Sequence, residues 1–383
     1  MGIIALKSFK EMGVKVDGQI LRARQGNVGF THEEDALPET YLVSTDEIRF
    51  SNGEGKVKLS NSARGKDIYI LADVGNYSCT YDMYGFRNHM GPDEHFQDIK
   101  RTLSAIGGKS RRTTVIMPRL YASRQHRRKS RESLDCAIAL QELENMGVKT
   151  IITFDVHDPN IQNAIPLVSF ENLYPTYDIV RAIVTSENDL QLDRDHLMVI
   201  SPDTGAMDRA IYYSSVLGLD IGLFFKRRDL RTLVNGSNPI ITHEYMGKPV
   251  DGMDVLIVDD MIASGESVLD IAEELKKRNA RRIFVAATFA QFTDGLAKFN
   301  EYCEKGLFTR VYSTNLTYLP PEAKAAPWFK EVDMSGFIAR LIDNLNYDKS
   351  VAPLKDATSI IKDLLEENYG LHSFISQAAP SVF

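Results

Sequence analysis

Residues 254–275 read DVLIVDDMIASGESVLDIAEEL. An apolar run of strand length ends in two adjacent acids, Asp259 and Asp260. A small-residue turn, Ala263-Ser264-Gly265-Glu266-Ser267, then opens a segment whose apolar residues recur at helical spacing. Continuous rather than alternating hydrophobicity marks a strand buried on both faces, and a helix directly after it makes half of a β-α-β unit in a parallel sheet. The same strand signature recurs at 67–73, 113–118, 150–156, 197–203, 220–225 and 282–288, and SLDCAIALQELENMG (133–147) supplies a second helix of this kind. The pattern predicts an α/β protein. Its presence in both halves predicts two similar domains, 1–173 and 174–333, parting near Tyr174-Pro175. Residues 334–383 read as a C-terminal helical segment and tail that packs back on the first domain.

At 383 residues the chain exceeds what one hydrophobic core usually organises. Hydrophobic and charged contents of 43% and 25% are those of an ordinary globular protein, and a net charge of -7 excludes general attraction to nucleic acid. Locally the sign reverses. From Lys109 to Arg131 there are nine Lys and Arg side chains and no Asp or Glu, a concentrated field for a compact polyanion. Tyr121 is the one aromatic residue in that stretch, so base stacking along a nucleic acid is unsupported and a triphosphate clamp fits better. The three cysteines, Cys79, Cys136 and Cys303, show no metal-binding spacing and suit a reducing compartment. No segment approaches the ~20 apolar residues of a membrane helix, and the apolar run in MGIIALKSFK is too short for a signal peptide. A cytoplasmic protein with no nucleic-acid or membrane partner is the expectation.

In parallel α/β sheets ligands sit beyond the carboxyl ends of the strands. Backbone N–H groups of the 263–267 turn, backed by the positive end of a helix dipole, cradle a phosphate, and carboxylates beside it accept hydrogen bonds from sugar hydroxyls. A lone pair of acids after a strand is more often part of an N-capped turn. The whole string of apolar run, two acids, small residues and Ser-Gly-x-Ser is far more specific. Lys226, Arg227 and Arg228 follow the 220–225 run and bring cations to a strand end. His157, two residues past Asp155, and Asp203, closing LMVISPD, put an imidazole and a carboxylate at two more. GGKS (107–110) follows a helical stretch and precedes a strand, the reverse of a nucleotide-binding P-loop, so it reads as a glycine helix stop.

The string IVDDMIASGES (257–267) resembles the phosphoribosyl diphosphate motif shared by phosphoribosyltransferases and ribose-phosphate pyrophosphokinases. Five more segments are similar to the pyrophosphokinase family: RFSNGEGKVKL (49–59), YASRQHRRKSRES (121–133), TFDVHDPNIQ (153–162), VISPDTGAMDRA (199–210) and GLFFKRRD (222–229). The resemblance implies two tandem phosphoribosyltransferase-like domains. It implies transfer of the diphosphoryl group of Mg-ATP to the C1 hydroxyl of ribose 5-phosphate, giving 5-phosphoribosyl 1-diphosphate and AMP. ATP contacts are implied for Phe50, Asn52, Glu54, Arg124 and Gln125. Ribose 5-phosphate contacts are implied for Asp259, Asp260, Ala263, Ser264, Gly265, Glu266 and Ser267. His157 and Asp203 are implied as Mg2+ ligands, and Lys226 and Arg228 as catalytic cations. A homo-oligomer is implied as well, built of dimers assembled into hexamers, with ATP contacted across a subunit interface. Asn52 and His126 stand where the family usually has Asp, and Ala263 and Glu266 replace an acid and a glycine. Two alternatives remain beside this reading. A nucleobase phosphoribosyltransferase shares the acid loop but has no need of the FSNGE or KRRD segments, and a catalytically silent regulatory homologue keeps the fold alone.

Overall fold

The computed structural model describes residues 1–27, 37–128, 130–228 and 240–369, without the side chains of 27, 226–228 and 240–243. The chain forms two compact units. The first comprises Met1–Tyr174, Leu316–Tyr318 and Asp333–Lys355, and the second comprises Pro175–Asn315, Leu319–Val332 and the chain from Asp356.

The first unit runs β1 (Gly2–Ala5), α1 (Lys10–Asn27), β2 (Thr45–Arg49), β3 (Gly55–Leu59), β4 (Asp67–Leu71), β5 (Thr80–Met83), β6 (Phe86–His89), α2 (Pro92–Ile106), β7 (Arg112–Ile116), α3 (Asp135–Asn145), β8 (Thr150–Phe154) and β9 (Ser169–Leu173). Five strands form a parallel sheet in the order β1-β4-β7-β8-β9. Ile70, Val115 and Ile151 on its central strands pack with Phe96, Ile99 and Leu103 of α2 and with Cys136, Leu140 and Leu143 of α3. The apolar residues near the N-terminus are a strand, β1, with Ile3 and Ile4 fully buried. Helix α2 stops at Gly107, whose N–H reaches Leu103 O, in line with the reading of GGKS. Two antiparallel pairs, β2–β3 and β5–β6, form small sheets of their own.

The second unit runs α4 (Thr176–Ser186), β10 (Leu197–Ser201), α5 (Met207–Leu217), β11 (Asp220–Arg228), β12 (Ile240–Met246), β13 (Asp254–Ile262), α6 (Glu266–Lys277), β14 (Ile283–Ala290), α7 (Ala297–Glu304), β15 (Arg310–Thr314), α8 (Pro321–Ala325) and β16 (Phe329–Val332). Its sheet has the order β12-β11-β10-β13-β14-β15-β16, parallel except where β12 runs against β11. The C-terminal segment divides rather than packing as one piece. Helices α9 (Ser335–Asn346) and α10 (Ala352–Lys355) belong to the first unit, where Phe337 meets Phe154 at 5.5 Å and Arg24 binds Asp343 at 2.7 Å. Helix α11 (Thr358–Tyr369) belongs to the second unit and packs on α4 and α5.

The order β1-β4-β7-β8-β9 is repeated by β10-β13-β14-β15-β16, and so is a charge device. The second strand of each set begins with an acid, Asp67 or Asp254, and an Arg-Arg pair leads into the third, Arg111-Arg112 or Arg281-Arg282. Both arginines converge on the acid. Arg111 Nε and Arg112 Nε lie 2.7 and 3.1 Å from Asp67 Oδ1, and Arg281 Nε and Arg282 Nη2 lie 2.8 and 2.7 Å from Asp254. Desolvation of these buried acids is overcome by the arginine hydrogen bonds, which hold both carboxyls below their ordinary range.

This pairing corrects the view of the 109–131 run as one cationic field. Arg111 and Arg112 are engaged at the amino end of β7, while Arg119, Arg124, Arg127 and Arg128 follow its carboxyl end. A five-residue strand separates the two groups, roughly 16 Å at ~3.3 Å per residue. Only the second group belongs to the ligand edge of the sheet.

Candidate functional site

Strand β13 does not end at the two acids. It continues to Ile262 because β14 runs beside it, pairing Asp259 with Ala287 and Ile262 with Ala290. Asp260 is buried, and the Asp259 side chain is 21% exposed. Burial, reinforced by the neighbouring Asp260 carboxylate, pushes the Asp259 carboxyl well above its ordinary value. The Arg209 guanidinium, 3.9 Å from Asp259 Oδ1, acts in the opposite direction. Arg209 was not among the residues singled out from the sequence. It lies on α5, directly after β10, and the pairing of β10 with β13 brings it to Asp259. Its signal was an arginine in a segment that closes a neighbouring strand.

Helix α6 begins at Glu266, with Gly265 as its N-cap at φ 90°. A Cβ on Gly265 would lie 2.3 Å from two ring carbons of Phe299, and that ring is fully buried and stacked on Trp328 at 5.3 Å. Only glycine fits there. The turn is pinned from the next loop, where the N–H of Gln291 donates to Ile262 O at 2.8 Å and that of Thr293 to Ala263 O at 2.9 Å. Ala263, Ser264 and Ser267 are half-buried, while Glu266 is exposed on the first turn of the helix, where the dipole favours an anion. A helix start of this kind, with the positive end of the dipole behind its first turn, suits a phosphate.

In the first unit, Phe50, Asn52 and Glu54 occupy the turn between β2 and β3. Asn52 Nδ2 donates to Glu54 Oε2 and the Glu54 N–H donates to Asn52 Oδ1, both at 3.1 Å. Phe50 is 47% exposed. The hairpin is rooted by Arg49, which makes two hydrogen bonds, at 2.9 and 2.6 Å, to the buried Asp98 of α2. Arg124 and Gln125 are exposed in the stretch after β7, whose described residues from 117 to 134 include no helix or strand. His126 joins that stretch to the loop after β8. Its Nδ1 lies 3.0 Å from Ser123 O, its Nε2 lies 3.2 Å from Asp158 Oδ2, and its ring is 5.4 Å from that of His157.

His157 is exposed just past β8 in the first unit. Asp203 follows β10 in the second and accepts hydrogen bonds from the N–H groups of Gly205 and Ala206 at 2.9 and 3.2 Å. Among the described residues no group of three or more His, Cys, Asp or Glu side chains is disposed to hold a metal ion. Magnesium needs only one or two protein carboxylates when phosphates supply other ligands, so Asp203 fits that role and an imidazole fits it less well. Lys226 and Arg228 lie on the backbone of β11, paired with His243 and Ile240 of β12. Their side chains lie outside the described residues.

Two parallel-sheet units with one strand order, one of them carrying two acids and a glycine-capped helix start, define a protein of the phosphoribosyltransferase class. Residues 1–147 match the model of the N-terminal domain of ribose phosphate pyrophosphokinase, and residues 169–321 match that of the phosphoribosyl transferase domain. The chain belongs to the ribose-phosphate pyrophosphokinase family. It is 27% identical over 310 residues to the ribose-phosphate pyrophosphokinase of Vibrio vulnificus, covering 80% of this chain and 89% of that one. With the ribose-phosphate pyrophosphokinase of Chromobacterium violaceum the identity is 27% over 317 residues, covering 82% and 87%. The phosphoribosylpyrophosphate synthetase of Mycobacterium smegmatis has the same fold, with a TM-score of 0.70 at 18% identity over 91% of this chain and 99% of that one. No helix among the described residues is long and apolar enough to cross a membrane.

Proposed function

We propose that the protein transfers the diphosphoryl group of Mg-ATP to the C1 hydroxyl of ribose 5-phosphate, forming 5-phosphoribosyl 1-diphosphate and AMP. The observation that carries the sugar-phosphate reading is the succession Asp259, Asp260 and the Gly265-capped start of α6 at the end of one central strand. The 263–267 turn holds the 5-phosphate, and the two acids accept hydrogen bonds from ring hydroxyls. Asp259 accepts better when ionised, and Arg209 favours that form.

ATP as donor is supported by the FSNGE turn of the first unit, which a nucleobase phosphoribosyltransferase has no need of, and by the basic stretch after β7, which suits a triphosphate. Phe50, Asn52, Glu54, Arg124 and Gln125 hold the nucleotide. The C1 oxygen bonds to the β-phosphorus as the bridging oxygen departs with AMP, and the hydroxyl proton is lost in the same conversion. Lys226 and Arg228 stabilise charge on the transferring group, the largest contribution a protein makes to phosphoryl transfer. Mg2+ would be held by Asp203 together with phosphate oxygens, where it would supply neutralising charge. A cytoplasmic homo-oligomer built from dimers accompanies this reading.

The test is to incubate the protein with ribose 5-phosphate and Mg-ATP and to measure AMP. Sugar-dependent AMP is the expected result. Sugar binding without AMP favours the silent regulatory homologue, and nucleotide formed from 5-phosphoribosyl 1-diphosphate and a free base favours the phosphoribosyltransferase.

A further inference from the structure

The β5–β6 hairpin has no part in the chemistry above. Its two-residue loop, Tyr84-Gly85, has φ values of 50° and 81°, the doubly positive form of tight hairpin turn that Asn-Gly normally fills. A bulky tyrosine there is strained. The side chain is also 74% exposed, so little packing within the unit offsets the strain. Phe86, on the other side of the loop, is 73% exposed. Strain that persists without a packing return directs attention to what the side chain touches in the working protein.

The hairpin tip is docked on the turn that carries Phe50, Asn52 and Glu54. The Tyr84 N–H donates to Ser51 O at 2.9 Å, and Met83 packs so closely that a Cβ on Gly53 would lie 2.6 Å from its sulfur. The base of the hairpin is tied down as well. Arg87 Nε donates to Thr80 Oγ1 at 3.1 Å, the Met90 N–H donates to Cys79 O at 2.8 Å, and His89 Nδ1 lies 2.7 Å from Tyr77 O. Phe50, Tyr84 and Phe86 are therefore three exposed rings on two turns that hold each other in place.

We propose that Tyr84 and Phe86 are further specificity-determining residues for the nucleotide, offering ring faces to the purine base of ATP alongside Phe50. The inference rests on the assignment of the FSNGE turn to ATP made above. Purines stack on aromatic side chains, and the mutually bonded Asn52 and Glu54 on the same turn present hydrogen-bonding groups to a base edge. The three rings together expose roughly 400 Å², taking ~200 Å² for a whole aromatic side chain. That is ample for the faces of a purine base, and Phe50 on the same patch is already assigned to ATP.

Tyr84→Asn separates function from structure, because asparagine accepts a positive φ and relieves the turn. The expected result is an unchanged or higher melting temperature together with ATP binding weakened about tenfold, the loss of one stacking contact. Phe86→Ser should weaken ATP similarly. Binding is read by calorimetry with a non-hydrolysable ATP analogue, and KM for ribose 5-phosphate and the mass by light scattering should not move. Unchanged analogue affinity in both variants overturns the inference, as does a lower melting temperature in Tyr84→Asn with affinity intact. A loss of assembly mass would make the hairpin an interface between copies and also overturn it. The two readings fail separately: unchanged affinity in variants of a chain that makes AMP removes only the hairpin role, whereas a wild-type chain that binds no analogue removes both.

Discussion

Replacing Gly265 by alanine tests the close approach that shapes the phosphate loop, and two penalties add. A φ of 90° lies in the region that L-residues avoid, at about 1–2 kcal/mol. The new methyl would also sit 2.3 Å from Cε2 and Cζ of Phe299, where ordinary contact begins near 3.4 Å. Phe299 has little freedom to move, since Phe292, Trp328 and Phe308 surround it at ring distances of 5.0, 5.3 and 6.0 Å. Overpacking of such a core costs about 1–3 kcal/mol, so the sum is about 2–5 kcal/mol. For a unit of this size each kcal/mol shifts the melting temperature by about 2–4 °C, so calorimetry should find the transition of the second unit lowered by roughly 4–20 °C. Phe299→Leu makes room for the methyl, so in a double-mutant cycle the two substitutions should couple favourably by about 1 kcal/mol or more. Ribose 5-phosphate affinity should fall with the displaced loop. A Gly265→Ala protein melting within about one degree of wild type, or strict additivity with Phe299→Leu, would refute the argument.

Lys226→Ala should lower turnover by orders of magnitude while leaving ribose 5-phosphate binding nearly intact, as loss of a transition-state contact requires, and near-normal turnover in a steady-state assay would sink the assignment. Glu266→Gly should change KM for ribose 5-phosphate by less than about tenfold, roughly 1.4 kcal/mol, because the carboxylate is exposed on the first helical turn; a strong tightening would mean that it faces the sugar. Asp254→Asn tests the repeated acid-arginine device through pH. Desolvation would raise this carboxyl, but Arg281 and Arg282 hold it below its ordinary value. Its stabilisation is therefore complete above the unfolded value near 3.9 and lost as the pH falls toward the folded one. Urea titrations should show the gap between wild type and variant widest at neutral pH and closing below about pH 4; a gap constant across that range contradicts the pairing.

What could be read along the chain was local. Continuous apolar runs identified the central strands, since a strand buried on both faces must be hydrophobic at every position, and the periodicity of SVLDIAEEL identified α6. The acids, the small-residue turn and the glycine stop at 107 were legible because each acts on its immediate neighbours. The edge strand β1 escaped notice because four residues, GIIA, carry too little pattern. The β5–β6 hairpin was missed because TYDMYGFRNH carries a tyrosine where the turn code asks for asparagine.

Other features exist only once distant segments meet. Asp67 and Arg111 are far apart in the chain, and so are Asp254 and Arg281, yet parallel neighbours set their charges side by side and take two of the nine clustered cations away from the ligand edge. Arg209 reaches Asp259 because β10 lies next to β13, and Gly265 is obligatory because Phe299, on another helix, fills the space a Cβ would need. The sequence alone determined the α/β class, the repeated strand pattern and the acid loop, because those follow from hydrophobic period and turn chemistry within a few residues. Tertiary structure decided which charges face a ligand and which neutralise one another, because Coulomb and contact energies depend on distance in space, and strand order sets that distance.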